Sequence, residues 1–171
     1  MWNGTDTPLG CLITFRCYGT WLHGDSRGSI ERYHNRHGSP YIAPNETWHN
    51  QNQQRRLHPE MILDSAQRKA VEAAIREVCT YRNWGLLAIQ VRTNHVHIVV
   101  STGELNGGKV LNDFKAYATR QMRKEGCWNY EHSPWSDKGS CRYLWNERSM
   151  DQVIDYVVNG QGGSLSDGTA L

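Results

Sequence analysis

The chain has 171 residues, 38% of them hydrophobic, which is enough for one well-buried domain and too few for two full ones. Nineteen Lys and Arg against 17 Asp and Glu leave a formal charge of +2, so a nucleic-acid partner must be argued from local clusters and not from net charge. Five cysteines without a Cys-x-x-Cys pair disfavour a disulfide framework and a thiolate zinc site, and they fit a reducing compartment.

The opening Met1-Trp2-Asn3-Gly4-Thr5-Asp6 has no basic leader, and no stretch approaches the roughly 18 apolar residues of a membrane span. The expectation is a cytoplasmic protein without a membrane partner. Leu9 to Trp21 reads as a strand, with Leu9, Cys11, Ile13, Phe15 and Cys17 alternating against Thr14 and Arg16. Residues from about 26 to 62 read as a long insertion, with a short helix near Glu46 to Arg56. Its Arg27, Arg32, Arg36, Arg55 and Arg56, interleaved with Tyr33, Tyr41 and Trp48, fit phosphate contact and base stacking, and they fit a solvated loop equally well.

Asp64-Ser65-Ala66-Gln67 has the form of a capping box, followed by Val71, Ala74, Ile75 and Val78 on one helical stripe. Trp84 to Arg92 then predicts a strand that turns at Thr93-Asn94 into Val96-His97-Ile98-Val99-Val100. A second helix carries Val110, Leu111, Phe114, Ala118 and Met122, with Lys109, Lys115, Arg120, Arg123 and Lys124 on its other faces. A loop with Trp128, Tyr130, His132 and Trp135 leads to a short strand over Cys141–Trp145. The last helix is predicted from near Ser149, with Met150, Val153, Ile154 and Val157 as its stripe and Tyr156 at the edge. Gly160, Gly162 and Gly163 stop it, and residues 164–171 read as a disordered tail behind a single domain over 1–163.

Strand, helix, strand, strand, helix, strand is the ferredoxin-like order, an α+β fold with an antiparallel sheet and both helices on one face. Side chains alternate along a strand, so Val96, Ile98 and Val100 facing those helices would leave His95 and His97 on the opposite side, within reach of Tyr156 on the final helix. Two imidazoles on one face of a rigid strand suit metal ligation. A His-x-His arises by chance about 0.4 times in a chain with eight His, so the pair needs its context to carry weight.

With that context the chain resembles the HUH endonuclease superfamily, in which two His flank a hydrophobic residue on a central strand, here His95-Val96-His97. It resembles above all the single-tyrosine transposases, including the REP-associated ones, whose nucleophilic Tyr sits on a C-terminal helix; Tyr156 in Asp155-Tyr156-Val157-Val158-Asn159-Gly160-Gln161-Gly162 matches it. The likeness extends to Ile13-Thr14-Phe15-Arg16-Cys17-Tyr18-Gly19-Thr20-Trp21-Leu22-His23-Gly24-Asp25, Asn112-Asp113-Phe114-Lys115-Ala116 and Arg142-Tyr143-Leu144-Trp145. It implies a metal-dependent transesterase acting on single-stranded DNA, often beside a hairpin, through a 5′-phosphotyrosine, as a monomer or a homodimer. His95, His97 and Tyr156 would be the catalytic residues.

The amide metal ligand of such enzymes usually lies four residues after the Tyr, where this chain has Gly160. Gln161 is favoured in its place, because Gly160 lets the backbone unwind, and Asn159 is the alternative. Two His and a neutral amide make a site softer than an all-oxygen cage, which fits manganese as readily as magnesium. For DNA contact the physically suitable residues are Lys115, Arg120 and Arg142 on phosphates and Trp145, Trp21 or Trp135 on bases. Two other classes fit the same residues: a DNA-binding protein without chemistry, and a small metal-dependent hydrolase with His132 or Asp25 as a further ligand.

Overall fold

The computed structural model describes residues 7–20 and 45–160. In β1 (Gly10–Cys17) the odd-numbered Cys11, Ile13, Phe15 and Cys17 are buried on one face, as alternation requires. A helix α1 (Glu46–Gln54) follows, capped by the Asn45 side chain and burying none of its residues. The capping box then starts α2 (Ser65–Tyr81): Asp64 accepts from the Gln67 amide, and the Gln67 side chain accepts from the Asp64 amide.

The hairpin of β2 (Gly85–Val91) and β3 (His95–Ser101) comes next, then α3 (Gly107–Lys124), β4 (Trp135–Leu144) and α4 (Glu147–Asn159). All strand pairs are antiparallel and the sheet order is β2-β3-β1-β4, the ferredoxin-like arrangement.

Two layers of packing fix the two faces. Val71, Ile75 and Val78 of α2 and Val110, Phe114 and Ala118 of α3 pack with Ile13, Phe15, Val96, Ile98 and Val100 of the sheet in one core. On the opposite face Met150, Val153 and Val157 of α4 pack with Ala88, Val99 and Leu144. Each such fully buried aliphatic side chain contributes about 1.5–3 kcal/mol, so α4 is held by its own small core and not only by its connection to β4.

The first strand ends at Cys17 and does not run to Trp21, because the chain turns at Tyr18-Gly19 with Gly19 at a φ of 71°; two further boundaries differ from the sequence reading for traceable reasons. Strand β4 begins at Trp135 instead of Cys141, because Gly139 pairs with Phe15 and Trp135 with Cys17 of β1, on either side of a bulge that takes up Asp137 and Lys138, although Asp137-Lys138-Gly139 has the composition of a turn. Gly139 is required there: a Cβ would lie 2.6 Å from the Thr14 carbonyl oxygen and 2.5 Å from Leu111 Cδ1. Helix α4 begins at Glu147 instead of near Ser149, because the Asn146 side chain accepts from the Ser149 amide and caps the helix two residues earlier.

Candidate active site

Strand β3 presents His95 and His97 on the face that carries α4, with ring centroids 4.8 Å apart. The turn before them is tied from outside: Asn94 O accepts from the Cys17 amide and Thr93 O from the Leu63 amide. His95 Nδ1 lies 2.6 Å from Asn94 Oδ1, an acceptor, so this nitrogen donates and Nε2 is the ring nitrogen left to face the site. His97 Nδ1 lies 2.7 Å from the hydroxyl of Thr14, which is 8% exposed and is the register partner of His97 on β1. Both rings are thereby oriented through Nδ1, the arrangement in which imidazoles bind a metal through Nε2.

Helix α4 brings the third group. Its apolar stripe rests on the sheet and leaves Tyr156 at the rim, 48% exposed, with its ring centroid 5.8 Å from that of His97. Gly160 caps the helix and donates its amide to Tyr156 O. A Cβ at 160 would lie 2.9 Å from Tyr156 Cδ2, so the glycine that replaces the expected amide ligand also makes room for the ring in this position.

Burial, the neighbouring His95 and the charge of Arg16 together lower the His97 pKa from 6.5 to about 4. At neutral pH His97 is therefore a neutral imidazole, the form that ligates metal. Thiols offer no competing nucleophile: burial pushes Cys11 and Cys17 up to about 12. The donor set, the neutral imidazole of His97 beside the imidazole of His95, each ring held by a hydrogen bond at Nδ1, fits a divalent cation. Among the described residues no third His, Cys, Asp or Glu joins them.

Residues 57–160, more than half of the chain, match the family model of the IS200-like transposases. The chain belongs to the IS200-like transposase family. The matched segment of this transposase runs from the approach to α2 to the cap of α4 and contains both His and Tyr156. Solved structures similar to it include a candidate transposase from Deinococcus radiodurans, 12% identical, with a TM-score of 0.49 over 95% of this chain and 98% of that one. Another is a REP-associated tyrosine transposase bound to a REP hairpin, 12% identical, with a TM-score of 0.46 over 88% of this chain and 65% of that one. No curated protein matches the chain.

The transposase places its other sequence-predicted residues unevenly. Gln161, Trp21 and Asp25 lie outside the described residues. Asn159 is exposed, and its amide donates to Asp155 Oδ1. Arg142 is the register partner of Leu12 and so shares the face of the His pair. Arg120 is exposed on α3, its guanidinium over the Tyr117 ring, on the far side of the sheet. Trp145 sits 42% exposed beside Tyr143, whose hydroxyl accepts from the Gly107 amide of α3.

Lys115 and Trp135 are corrections to the sequence reading. Lys115 is 9% exposed and donates to the carbonyls of Ser136 and Lys138, where the bulged strand leaves them open; its charge ties α3 to β4 and is not presented to a phosphate. Trp135 is 3% exposed, packs edge-on against Phe15 and donates to Lys115 O and Thr119 Oγ1. His132 stacks on His58 with centroids 3.7 Å apart, in a ring cluster with Tyr18, Trp128 and Tyr130 that does not include the His pair.

The sequence reading passed over Thr14, Asn94, Arg16, Arg92 and Gln90. Thr14, Arg16, Arg92 and Gln90 become visible once strand pairing is known, whereas Asn94 acts on its immediate neighbour His95. Gln90, the β2 partner of His97, adds an amide to the same face. Thr14→Val in the transposase is expected to weaken Mn²⁺ binding by about 10–100-fold, the usual cost of losing an outer partner of a ligating His, and Thr14→Ser to restore it; titration calorimetry measures both.

His97 also makes the metal-free transposase acid-sensitive. Between about 4 and 6.5 the unfolded chain binds a proton that folded His97 refuses, so stability falls as pH drops through that window and levels off below it, by no more than about 3 kcal/mol. Thermal melts in chelator from pH 7 to 4 check this, and His97→Gln is expected to flatten the curve.

Proposed function

We propose that this transposase cleaves and rejoins single-stranded DNA by transesterification at Tyr156, next to a DNA hairpin. The observation that supports this reading is the convergence of the His95, His97 and Tyr156 rings on one face of the sheet. A divalent ion, magnesium or manganese, held by His95, His97 and the amide oxygen of Gln161 or Asn159, supplies Lewis-acid polarisation of the scissile phosphate when bound.

The rest falls to the chain's own residues. The Tyr156 hydroxyl attacks phosphorus, the Tyr Oη–P bond forms and the P–O3′ bond breaks. The phenol gives up its proton and the departing 3′-oxygen gains one. The 5′ end stays on the protein as a phosphotyrosine, and because one phosphodiester has replaced another, an incoming 3′-hydroxyl reverses the step and joins strands. Thr14 and Asn94 keep the imidazoles in the ligating orientation throughout.

Single strands from the flanks of the gene, incubated with the protein and Mn²⁺ and run on a denaturing gel, test the proposal. A protein-linked oligonucleotide beside a free 3′-hydroxyl product is expected. Cleavage that yields only two free DNA ends would instead assign the His pair to activation of water, and the reading would be wrong.

A further inference from the structure

Strand β2 reads Gly-Leu-Leu-Ala-Ile-Gln-Val, and Gln90 is its only polar side chain. Ile89 and Val91 pack into the α2 and α3 core, so alternation turns Gln90 to the α4 face. Ala88, the preceding residue on that face, is buried with Val153 and Val157 of α4. Gln90 is half-buried at the next position and pairs with His97 across the hairpin. Cβ atoms of such partners lie about 4.5–5.5 Å apart, within reach of a long side chain.

Folding gives no reason for an amide there. An aliphatic side chain beside Ala88 would pack as well, and the Gln90 amide makes no hydrogen bond to another described residue. The ring next to it is already set from the opposite side. Thr14, the partner of His97 on β1, holds Nδ1 toward β1, and β2 with Gln90 lies on the other flank of His97. An amide oxygen is a hard donor of the kind magnesium and manganese take, and it carries no charge to repel a phosphate.

We propose that Gln90 is a ligand of the cation assigned to this site, binding it through the amide oxygen beside His97. The inference rests on the metal site proposed above and adds to it a donor from the sheet. His95, His97 and Gln90 stand on the two strands of one hairpin, whose ladder fixes three donors together independently of the end of α4, which contributes a fourth. Four donors leave two positions of an octahedral shell for phosphate oxygens.

The test compares Mn²⁺ binding by Gln90→Met and Gln90→Glu with that of the wild-type protein, by titration calorimetry without DNA, with thermal melts in chelator as a control for folding. Gln90→Met keeps the length of the side chain and removes the amide, and it is expected to weaken Mn²⁺ binding by about tenfold or more. Gln90→Glu keeps the shape and puts a charged oxygen ligand in the same place, so Mn²⁺ should bind about tenfold tighter or better. Melting temperatures in chelator should stay close to that of the wild type for Gln90→Met, since no hydrogen bond within the described fold is lost.

Opposite signs in the two variants are the mark of a ligand. Mn²⁺ affinity unchanged in Gln90→Met would overturn the assignment and leave Gln90 a surface or DNA-contacting residue. Affinity lowered in both variants, together with lower melting temperatures, would overturn it in favour of packing. Should Gln90→Met fail to fold, Gln90→Glu decides the matter: tighter Mn²⁺ binding upholds the assignment, and equal or weaker binding overturns it. A wild-type protein that binds no divalent cation would mean that the metal site proposed above has failed and Gln90 with it. Metal binding by the wild type without this pattern would leave that site standing and remove only Gln90.

Discussion

Tyr156→Phe is expected to abolish the covalent protein–DNA adduct while leaving affinity for the DNA within about twofold. The substitution removes one oxygen and keeps the ring. Tyr156 is 48% exposed, and no hydrogen bond to another described residue involves its hydroxyl, so little folding energy depends on that oxygen. The ring's packing near His97 and the Gly160 cap both persist in Phe. Loss of all adduct with binding intact therefore isolates the nucleophile. Cleavage surviving in the variant without an adduct would favour hydrolysis at the His pair, and an adduct surviving would point to another nucleophile.

His95→Ala combined with His97→Ala is expected to remove Mn²⁺ binding at micromolar concentrations and to lower cleavage by more than about 10³-fold. In the proposed site these two imidazoles would be the ligands themselves, so the loss should exceed the 10–100-fold cost of an outer partner such as Thr14. Fold stability near pH 7 should change little, because both rings lie at the sheet surface under α4 and not in the main core. Near pH 5 the double variant should be the more stable of the two metal-free proteins, since it lacks the imidazole whose protonation the folded state resists. Metal titration and melts at the two pH values measure these effects together.

Much of this site was legible before any coordinates, for reasons that can be traced to particular residues. His95-Val96-His97 on an apolar run can face only one way once the run is buried, and the α4 stripe of Met150, Val153 and Val157 leaves Tyr156 at its edge in any helix. The capping box at Asp64–Gln67 fixed the start of α2 because both of its hydrogen bonds are local.

Features that depend on pairing between distant segments were not legible. That Thr14 would hydrogen-bond His97, 83 residues away, follows from register and from nothing in either segment alone. The same holds for Arg16 and Arg92 on either side of His95. Lys115 misled because a lysine on an amphipathic helix normally reaches water or an anion; here a bulge in β4 exposes two carbonyls that take its ammonium, and burial lowers its pKa. Gly139 was not singled out at all, because the need for a glycine there comes from Leu111 and the Thr14 carbonyl, which only the folded chain brings beside it.

The most direct measurement is peptide mapping of the covalent product. After cleavage of single-stranded DNA with Mn²⁺, trypsin releases a C-terminal peptide beginning at Ser149 in which Tyr156 is the only tyrosine. Mass spectrometry is expected to find the nucleotide on that peptide, linked through a 5′-phosphate to Tyr156. A nucleotide found instead on a peptide carrying Tyr117, Tyr130 or Tyr143, or cleaved DNA with every tyrosine unmodified, would contradict the account.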